Sequence, residues 1–349
     1  MKDKSKLIGF TCAYTPLALI DAAGFAPYRI LPMGDSPDQA GHILHENLCP
    51  HVKRVLDRGM QDDIPELSGI VFMNSCDTMR RLNDAWQKVR PNDNTLLVDL
   101  PVSNDPGSVS FFAEELALLT DTLSQWSGNN ITPERIENSI GRYNELAMHL
   151  NELKKRVDNG TLKDGSLRLQ TIYNKAATEP IKDVMEMIKQ MIDETNELSD
   201  GGLPVYLFGN VLPDPEAFVL FESCGARIVS EDLCTGSRMT HSIETDKSSD
   251  VFKRLANGLL SRTACARTVD PINPGKMALD VVERANACNA RGVIGHTVKF
   301  CDPYLARMPS VRDALKKEGI SFLLLEGDCT MRSIGQHKTR IEAFIEMLR

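Results

Sequence analysis

Apolar residues in this chain fall into short runs separated by amphipathic stretches. Gly69–Asn74 (GIVFMN) and residues 95–100 (TLLVDL) have the length and character of buried parallel strands. Residues 7–11 and 28–31 predict two more short strands. Residues 16–24 predict a helix ending at a glycine, 49–56 begin another, and 78–89 form a third. Alternation of this kind predicts a parallel sheet with helices on both faces.

The pattern changes between about Gly107 and Asp200, where nothing reads as a strand. Thr132-Pro133-Glu134 is a helix start, with threonine as N-cap and proline at the first helical position. Ile136, Ile140, Tyr143, Leu146, Leu150 and Leu153 then recur at helical spacing. A second long helix is predicted over roughly 167–198. Alternation resumes with strands predicted at 205–209, 226–230, 292–299 and 320–326, and a helix over 339–348 closes the chain. The expected fold is α/β, with two doubly wound parallel-sheet (Rossmann/flavodoxin-like) domains and an intervening helical section. The divisions are 1–106, 107–202 and 203–349. No internal sequence repeat is visible, but the two α/β sections read as structurally similar halves. Ligands in such folds sit beyond the carboxyl ends of the strands.

Composition narrows the function. With 42% hydrophobic and 25% charged residues, the chain has material for a buried core. A net charge of −8 gives no general attraction to nucleic acid or anionic membrane. No apolar run approaches bilayer length, and no secretory apolar region follows the basic N-terminus, so the expected location is cytoplasmic. No GxGxxG or GxxxxGKS occurs, so nucleotide sites of those types have no sequence support.

The nine cysteines carry more information. There is no CxxC, so distant segments must meet if they bind metal. Cys12, Cys76 and Cys301 close strands, Cys234 lies just after one, Cys49 sits at a helix start, and Cys265 falls in a loop. These are the places where α/β folds build sites, and a helix N-terminus lowers a thiol pKa. A single such cysteine is ordinarily structural. Several at similar places in two α/β units set metal or cluster binding against that plain reading. Cys224, Cys288 and Cys329 read as structural.

Other candidates have plainer readings beside the functional ones. His42, His45 and His51 read as surface or supporting residues near Cys49, and His296 as a core histidine. Asp77 and Asp302, each after a strand-end cysteine, read as helix caps. Ser75 is a candidate hydrogen-bond donor to cluster sulfur or a plain cap. Asp328 and Gln336 are candidate polar groups at the end of the last strand. The charged run 152–156 reads as a solvated helix face, and the Met-rich run 184–191 as packing.

Five cysteine-bearing motifs and one acidic one support a resemblance that covers nearly the whole chain. They are Ile8-Gly-Phe-Thr-Cys12-Ala-Tyr-Thr-Pro16, Asn47-Leu-Cys49-Pro, Asn74-Ser-Cys76-Asp77, Asp232-Leu-Cys234-Thr-Gly-Ser-Arg238, Lys299-Phe-Cys301-Asp-Pro303 and Glu326-Gly-Asp328. In this order and spacing the chain resembles the family of 2-hydroxyacyl-CoA dehydratases (D component) and benzoyl-CoA reductase small subunits. The resemblance implies a [4Fe–4S] cluster on Cys49, Cys76 and Cys301, with one iron left open. It implies an acyl-CoA substrate, a lyase or a related low-potential reductase, and an ATP-hydrolysing iron–sulfur activator that delivers one electron. The activated thioester becomes a ketyl radical anion that expels the 2-hydroxyl or, in the reductases, carries ring reduction. A related second subunit or a homodimer is expected. A branch with extra cysteines resembles double-cubane [8Fe–9S] proteins, which reduce small molecules. There Cys12, Cys234 and Cys265 supply the second set. The remaining alternatives are a non-catalytic electron-transfer subunit and a zinc protein using the same thiolates.

Overall fold

The computed structural model describes residues 6–34, 39–194, 201–245, 249–262, 265–331 and 334–349. The first half runs β1 (Leu7–Phe10), α1 (Leu17–Ala22), β2 (Ala26–Arg29), α2 (Pro50–Met60), β3 (Gly69–Asn74), α3 (Asp77–Val89) and β4 (Thr95–Asp99). All pairings are parallel, in the order β2-β1-β3-β4. Four helices follow: α4 (Pro106–Ser127), α5 (Pro133–Asp158), α6 (Gly165–Thr178) and α7 (Ile181–Asp193). The second half runs β5 (Leu203–Gly209), α8 (Glu216–Ser223), β6 (Ala226–Asp232), α9 (Val251–Ser261), α10 (Lys276–Ala287), β7 (Gly292–Val298), α11 (Asp302–Lys317), β8 (Ser321–Gly327) and α12 (Ile334–Leu348). Its parallel sheet has the order β6-β5-β7-β8. The two sheets thus share one topology. Each has a switch point, between β1 and β3 in one and between β5 and β7 in the other, where a crevice opens at the strands' carboxyl ends.

Burial follows strand position. Central β3 and β7 are buried almost throughout, whereas edge strands β2, β4 and β8 are half-exposed. The two-residue period of a strand sorts β5 onto two cores. Val205 and Leu207 pack with α8 and α12, while Tyr206 and Phe208 pack with α10 and α11. Gly209 ends β5 so close to β7 that a Cβ would overlap the His296 carbonyl oxygen. α5, α6 and α7 form their own apolar cluster, which includes Met185, Met187 and Met191 of the Met-rich run. α9 packs back onto α4, joining the second half to the first. Among the described residues no helix is long and apolar enough to cross a membrane.

The caps explain the helix limits. Thr132 accepts from the Arg135 N–H at the start of α5. Asp105 accepts from the Gly107 and Ser108 N–H groups at the start of α4, which ends at left-handed Gly128. The single helix expected over 167–198 is instead two, α6 and α7, divided at Glu179 and Pro180. Proline lacks the N–H and clashes with the preceding turn, so helical periodicity across it does not make one helix. Residues 195–198 of that expected helix lie outside the described residues.

Candidate functional site

Three cysteines stand as N-caps. Cys49 precedes α2, Cys76 precedes α3 and Cys301 precedes α11, helices of 11, 13 and 16 residues. Cys76 follows β3 and Cys301 follows β7, equivalent positions in the two sheets. Each sulfur therefore lies at the positive end of a helix, where negative charge is stabilised. The Cys76 sulfur also hydrogen-bonds the Thr78 hydroxyl at 3.0 Å. Asp77 and Asp302 occupy the first helical turn and are not the caps expected from sequence.

The thiols sense one another across the two halves. Burial raises the Cys49 thiol pKa, and Cys76 adds to the rise. Burial pushes the Cys301 thiol up to about 12, with Cys265 and Cys49 adding to it. Burial pushes Cys12 up to about 11, with Cys234 and Cys265 contributing. Cys12, Cys76, Cys234 and Cys265 line one cavity of about 90 Å³ between the switch points, with Ser75, His51 and Asn210 in its wall. Cys76 and Cys301 also line an open cleft of about 670 Å³. Cys329 is fully buried, with Cys49 and Cys234 among its electrostatic neighbours. Cys224 and Cys288 cap the C-terminal ends of α8 and α10, outside this group.

Buried positive charge surrounds part of the group. Arg29 is 0% exposed. It donates to the Cys234 carbonyl at 2.8 Å, the Cys234 sulfur at 3.2 Å and the Met239 sulfur at 2.7 Å, and its Nε has no partner. Among the described residues no carboxylate pairs with it. Arg238 is held by Asp232 in a bidentate pair of 2.6 and 3.0 Å and donates to the Tyr304 hydroxyl. Arg262 lies 3.9 Å over the Tyr14 ring and donates to the Ala13 and Arg238 carbonyls. Burial works against a thiolate at Cys234, but Arg29, Arg238 and Arg262 outweigh it and hold the pKa below the ordinary thiol range.

An isolated buried guanidinium is costly unless an anion faces it. Arg29, the helix N-termini and the converging thiols together fit an anionic thiolate-and-sulfide group. Among the described residues no three His, Cys, Asp or Glu side chains are grouped around the position of a single metal ion. In a cubane each thiolate meets a different iron, so its sulfurs stand further apart than around one ion.

The open cleft has features that sequence reading missed. Phe300, directly before Cys301, has φ +60° and is 43% exposed on the cleft wall. Left-handed backbone is costly for a bulky residue, and such strain concentrates at functional sites. Arg80, Arg267 and Arg307 line the same cleft. Arg267 is fixed by the Leu100 and Pro101 carbonyls, and Arg307 by those of Ala266 and Pro274. Their only signal in the sequence is arginine near a cysteine motif.

The remaining candidates sort by burial. His42 and His45 are exposed, while His51 is buried in the cavity wall with an unpartnered Nε2. Asp328 is drawn into an ion pair with Arg54 of α2 at 3.0 Å, and Gln336 is exposed on α12. His296 is a core residue, 1% exposed, as expected. Burial, with His337 adding, lowers its pKa to about 4, while Asp328 works in the opposite direction. Below pH 6.5 the unfolded chain therefore takes up this proton before the folded one. The His296 contribution costs no stability above that value and is lost as pH falls from about 6.5 to about 4, at about 1.4 kcal/mol per pH unit. Denaturant unfolding of metal-free protein between pH 7 and 4 should show a shallower decline in His296→Gln than in the parent.

Two α/β halves of one topology bring cysteines to both switch points, and thiols of the two halves influence one another. The model of the family described as "2-hydroxyglutaryl-CoA dehydratase, D-component" matches residues 12–348, and the chain belongs to that family. It is 24% identical to the (R)-phenyllactyl-CoA dehydratase beta subunit of Clostridium sporogenes, over 98% of this chain and 92% of that one. It is 24% identical to the lactoyl-CoA dehydratase beta subunit of Anaerotignum propionicum, over 98% and 91%. Identity to a benzoyl-CoA reductase subunit of Thauera aromatica is 23%, over 91% and 84%.

Proposed function

We propose that this chain is the iron–sulfur subunit of a 2-hydroxyacyl-CoA dehydratase-type enzyme. The enzyme removes water from a 2-hydroxyacyl-CoA by a radical route after an ATP-hydrolysing iron–sulfur activator delivers one electron. The observation that supports this reading is that Cys49, Cys76 and Cys301, each an N-cap, come from two sheets, with Cys76 acting on the Cys49 thiol and Cys49 on the Cys301 thiol. In this reading residues 1–106 bring Cys49 and Cys76, residues 203–349 bring Cys301, and the helical section 107–202 lies between them. Those three thiolates would hold a [4Fe–4S] cluster and leave one iron without a protein ligand. When bound, the cluster supplies a single electron of low potential.

The chain's own residues supply the surroundings. Helix N-termini offset negative charge at the thiolates. Buried walls exclude water from the inner cavity. In the open cleft Arg80, Arg267 and Arg307 are placed to bind anionic parts of a substrate, and Asn47 and Asn74 to orient polar ones. A related second subunit or a second copy of this chain completes the enzyme.

A second reading is favoured by one specific observation. Cys12, Cys234 and Cys265 interact with each other and line one cavity with Cys76, and Cys301 in turn feels Cys265 and Cys49, which supports a double-cubane [8Fe–9S] cluster on six thiols. That assembly would make the chain a reductase of a small molecule. The dehydratase reading is tested by following the cluster EPR signal of anaerobically purified protein as 2-hydroxyacyl-CoA thioesters are added. A thioester-dependent change is expected. A signal indifferent to every thioester would reduce the chain to an electron-transfer subunit.

A further inference from the structure

One tyrosine ties together two turns that each carry a thiol. Tyr14 lies in the turn closed by the Thr15 N–H on the Cys12 carbonyl at 3.1 Å, shortly after β1. Cys265 begins a turn in the second half, closed by the Thr268 N–H on the Cys265 carbonyl at 2.8 Å. The Tyr14 hydroxyl accepts from the Cys265 N–H at 3.3 Å and pairs with the Thr268 hydroxyl at 2.9 Å, so it holds both ends of that second turn. Arg262, 3.9 Å over the ring, keeps the tyrosine in place. The held turn is a wall of both spaces at the site. Cys265 and Arg267 line the inner cavity, and Ala266 and Arg267 line the open cleft. The two spaces share Ser75, Cys76, Arg267 and Pro303 in their walls.

We infer that Tyr14 is a positioning residue that holds the 265–268 turn across the passage from the open cleft to the inner cavity, and so limits what reaches the cavity to small reactants. The inference goes beyond both readings above and needs neither of them. The two turns are not equally firm. Tyr14 and Cys12 are 2% and 7% exposed and follow β1, which is paired on both sides. Cys265, Arg267 and Thr268 are half-buried in a segment between α9 and α10 that joins neither sheet. A segment held by a few bonds opens at lower free-energy cost than a paired strand. The 265–268 turn is therefore the part that moves, and the Tyr14 hydroxyl is its catch. Arg267, on the Leu100 and Pro101 carbonyls, is a second tie, so loss of the hydroxyl loosens the turn without freeing it. The Val269 N–H, on the Val102 carbonyl at 2.7 Å, anchors the end about which it swings. With the turn in place the inner cavity offers about 90 Å³, the share of about three water molecules. Only a reactant of a few non-hydrogen atoms fits such a space.

Cys234 is the reporter, because it lines the inner cavity and not the open cleft, and it belongs to neither turn. The metal-free, full-length chain is treated without oxygen with N-ethylmaleimide or with the bulky N-(1-pyrenyl)maleimide, and labelling of each cysteine is timed by peptide mass spectrometry. Half-buried Cys288, at a helix end outside the site, is the reference for both reagents. In the parent, relative to Cys288, the pyrenyl reagent should label Cys234 far more slowly than the small one. Tyr14→Phe keeps the ring and loses both hydroxyl bonds, so pyrenyl labelling of Cys234 should rise about tenfold while Cys288 stays unchanged. Thr268→Val should act in the same direction, and Thr268→Ser, which keeps a hydroxyl, should match the parent. If Tyr14→Phe fails to fold, the Thr268 pair carries the test. Unchanged selection by size in the folded variants overturns the inference. So does an equal rise at Cys288, which marks general loosening, or a parent that admits both reagents alike. None of these outcomes bears on the iron and sulfide content that tests the cluster reading.

Discussion

Cys301→Ala is expected to lose most of the bound iron and to lower activity by more than about 100-fold. Changes to residues that only support a metal's ligands already cost ~10–100-fold, and removal of a proposed ligand should exceed that. The fold should survive. Cys301 sits at the N-terminus of α11, its side chain is only partly buried, and β7 before it is paired on both sides. Cys301→Ser is the sharper control, because serine is a better N-cap than cysteine and should hold the helix start. Iron lost in both variants, with unchanged circular dichroism, assigns the loss to the missing thiolate. Cys76→Ala should behave alike from the other sheet. Cys224→Ala and Cys288→Ala, at helix ends outside the group, should keep their iron. Full iron content in Cys301→Ala would remove this residue from the site.

The largest expected loss of stability follows Asp232→Ala. Asp232 and Arg238 are 3% and 4% exposed and joined by two hydrogen bonds, with Arg284 a further 3.5 Å from the carboxylate. Removing the carboxylate leaves a buried guanidinium faced by the Tyr304 hydroxyl, the Tyr304 ring 5.8 Å away, and the neighbouring thiols of Cys234 and Cys265. Breaking one side of a buried pair typically costs about 3–5 kcal/mol. Replacing both partners, as in Asp232→Ala with Arg238→Met, should recover much of that, because no charge is then stranded. Denaturant unfolding of the metal-free chain measures both. A loss below about 1 kcal/mol in the single variant would mean that water or Arg284 rearrangement already compensates the pair.

How far the sequence could be read depended on how fully each element is buried. β3 matches the run 69–74 residue for residue, because a strand buried on both faces is apolar throughout. β2 begins two residues before the expected start, since an edge strand shows only half of that pattern. The helix pair α6 and α7 carries apolar residues across Pro180, and the periodicity hides the break that the proline imposes. In the site, the strand-end and helix-start cysteines were legible because chain order alone places them at the carboxyl edge of a sheet. The arginines were not. Arg29 lies 205 residues from Cys234, and only the packing of the two halves brings them together. Phe300 stands within a cysteine motif, but its positive φ is a property of the backbone that residue type does not announce.

The central claim is that thiols from both halves converge to hold iron and sulfide. Iron and acid-labile sulfide per chain, measured after strictly anaerobic purification, test it most directly. About four of each is expected if Cys49, Cys76 and Cys301 act alone, and about eight iron if Cys12, Cys234 and Cys265 join them. Zinc in place of iron, or no metal in protein never exposed to oxygen, would contradict the claim.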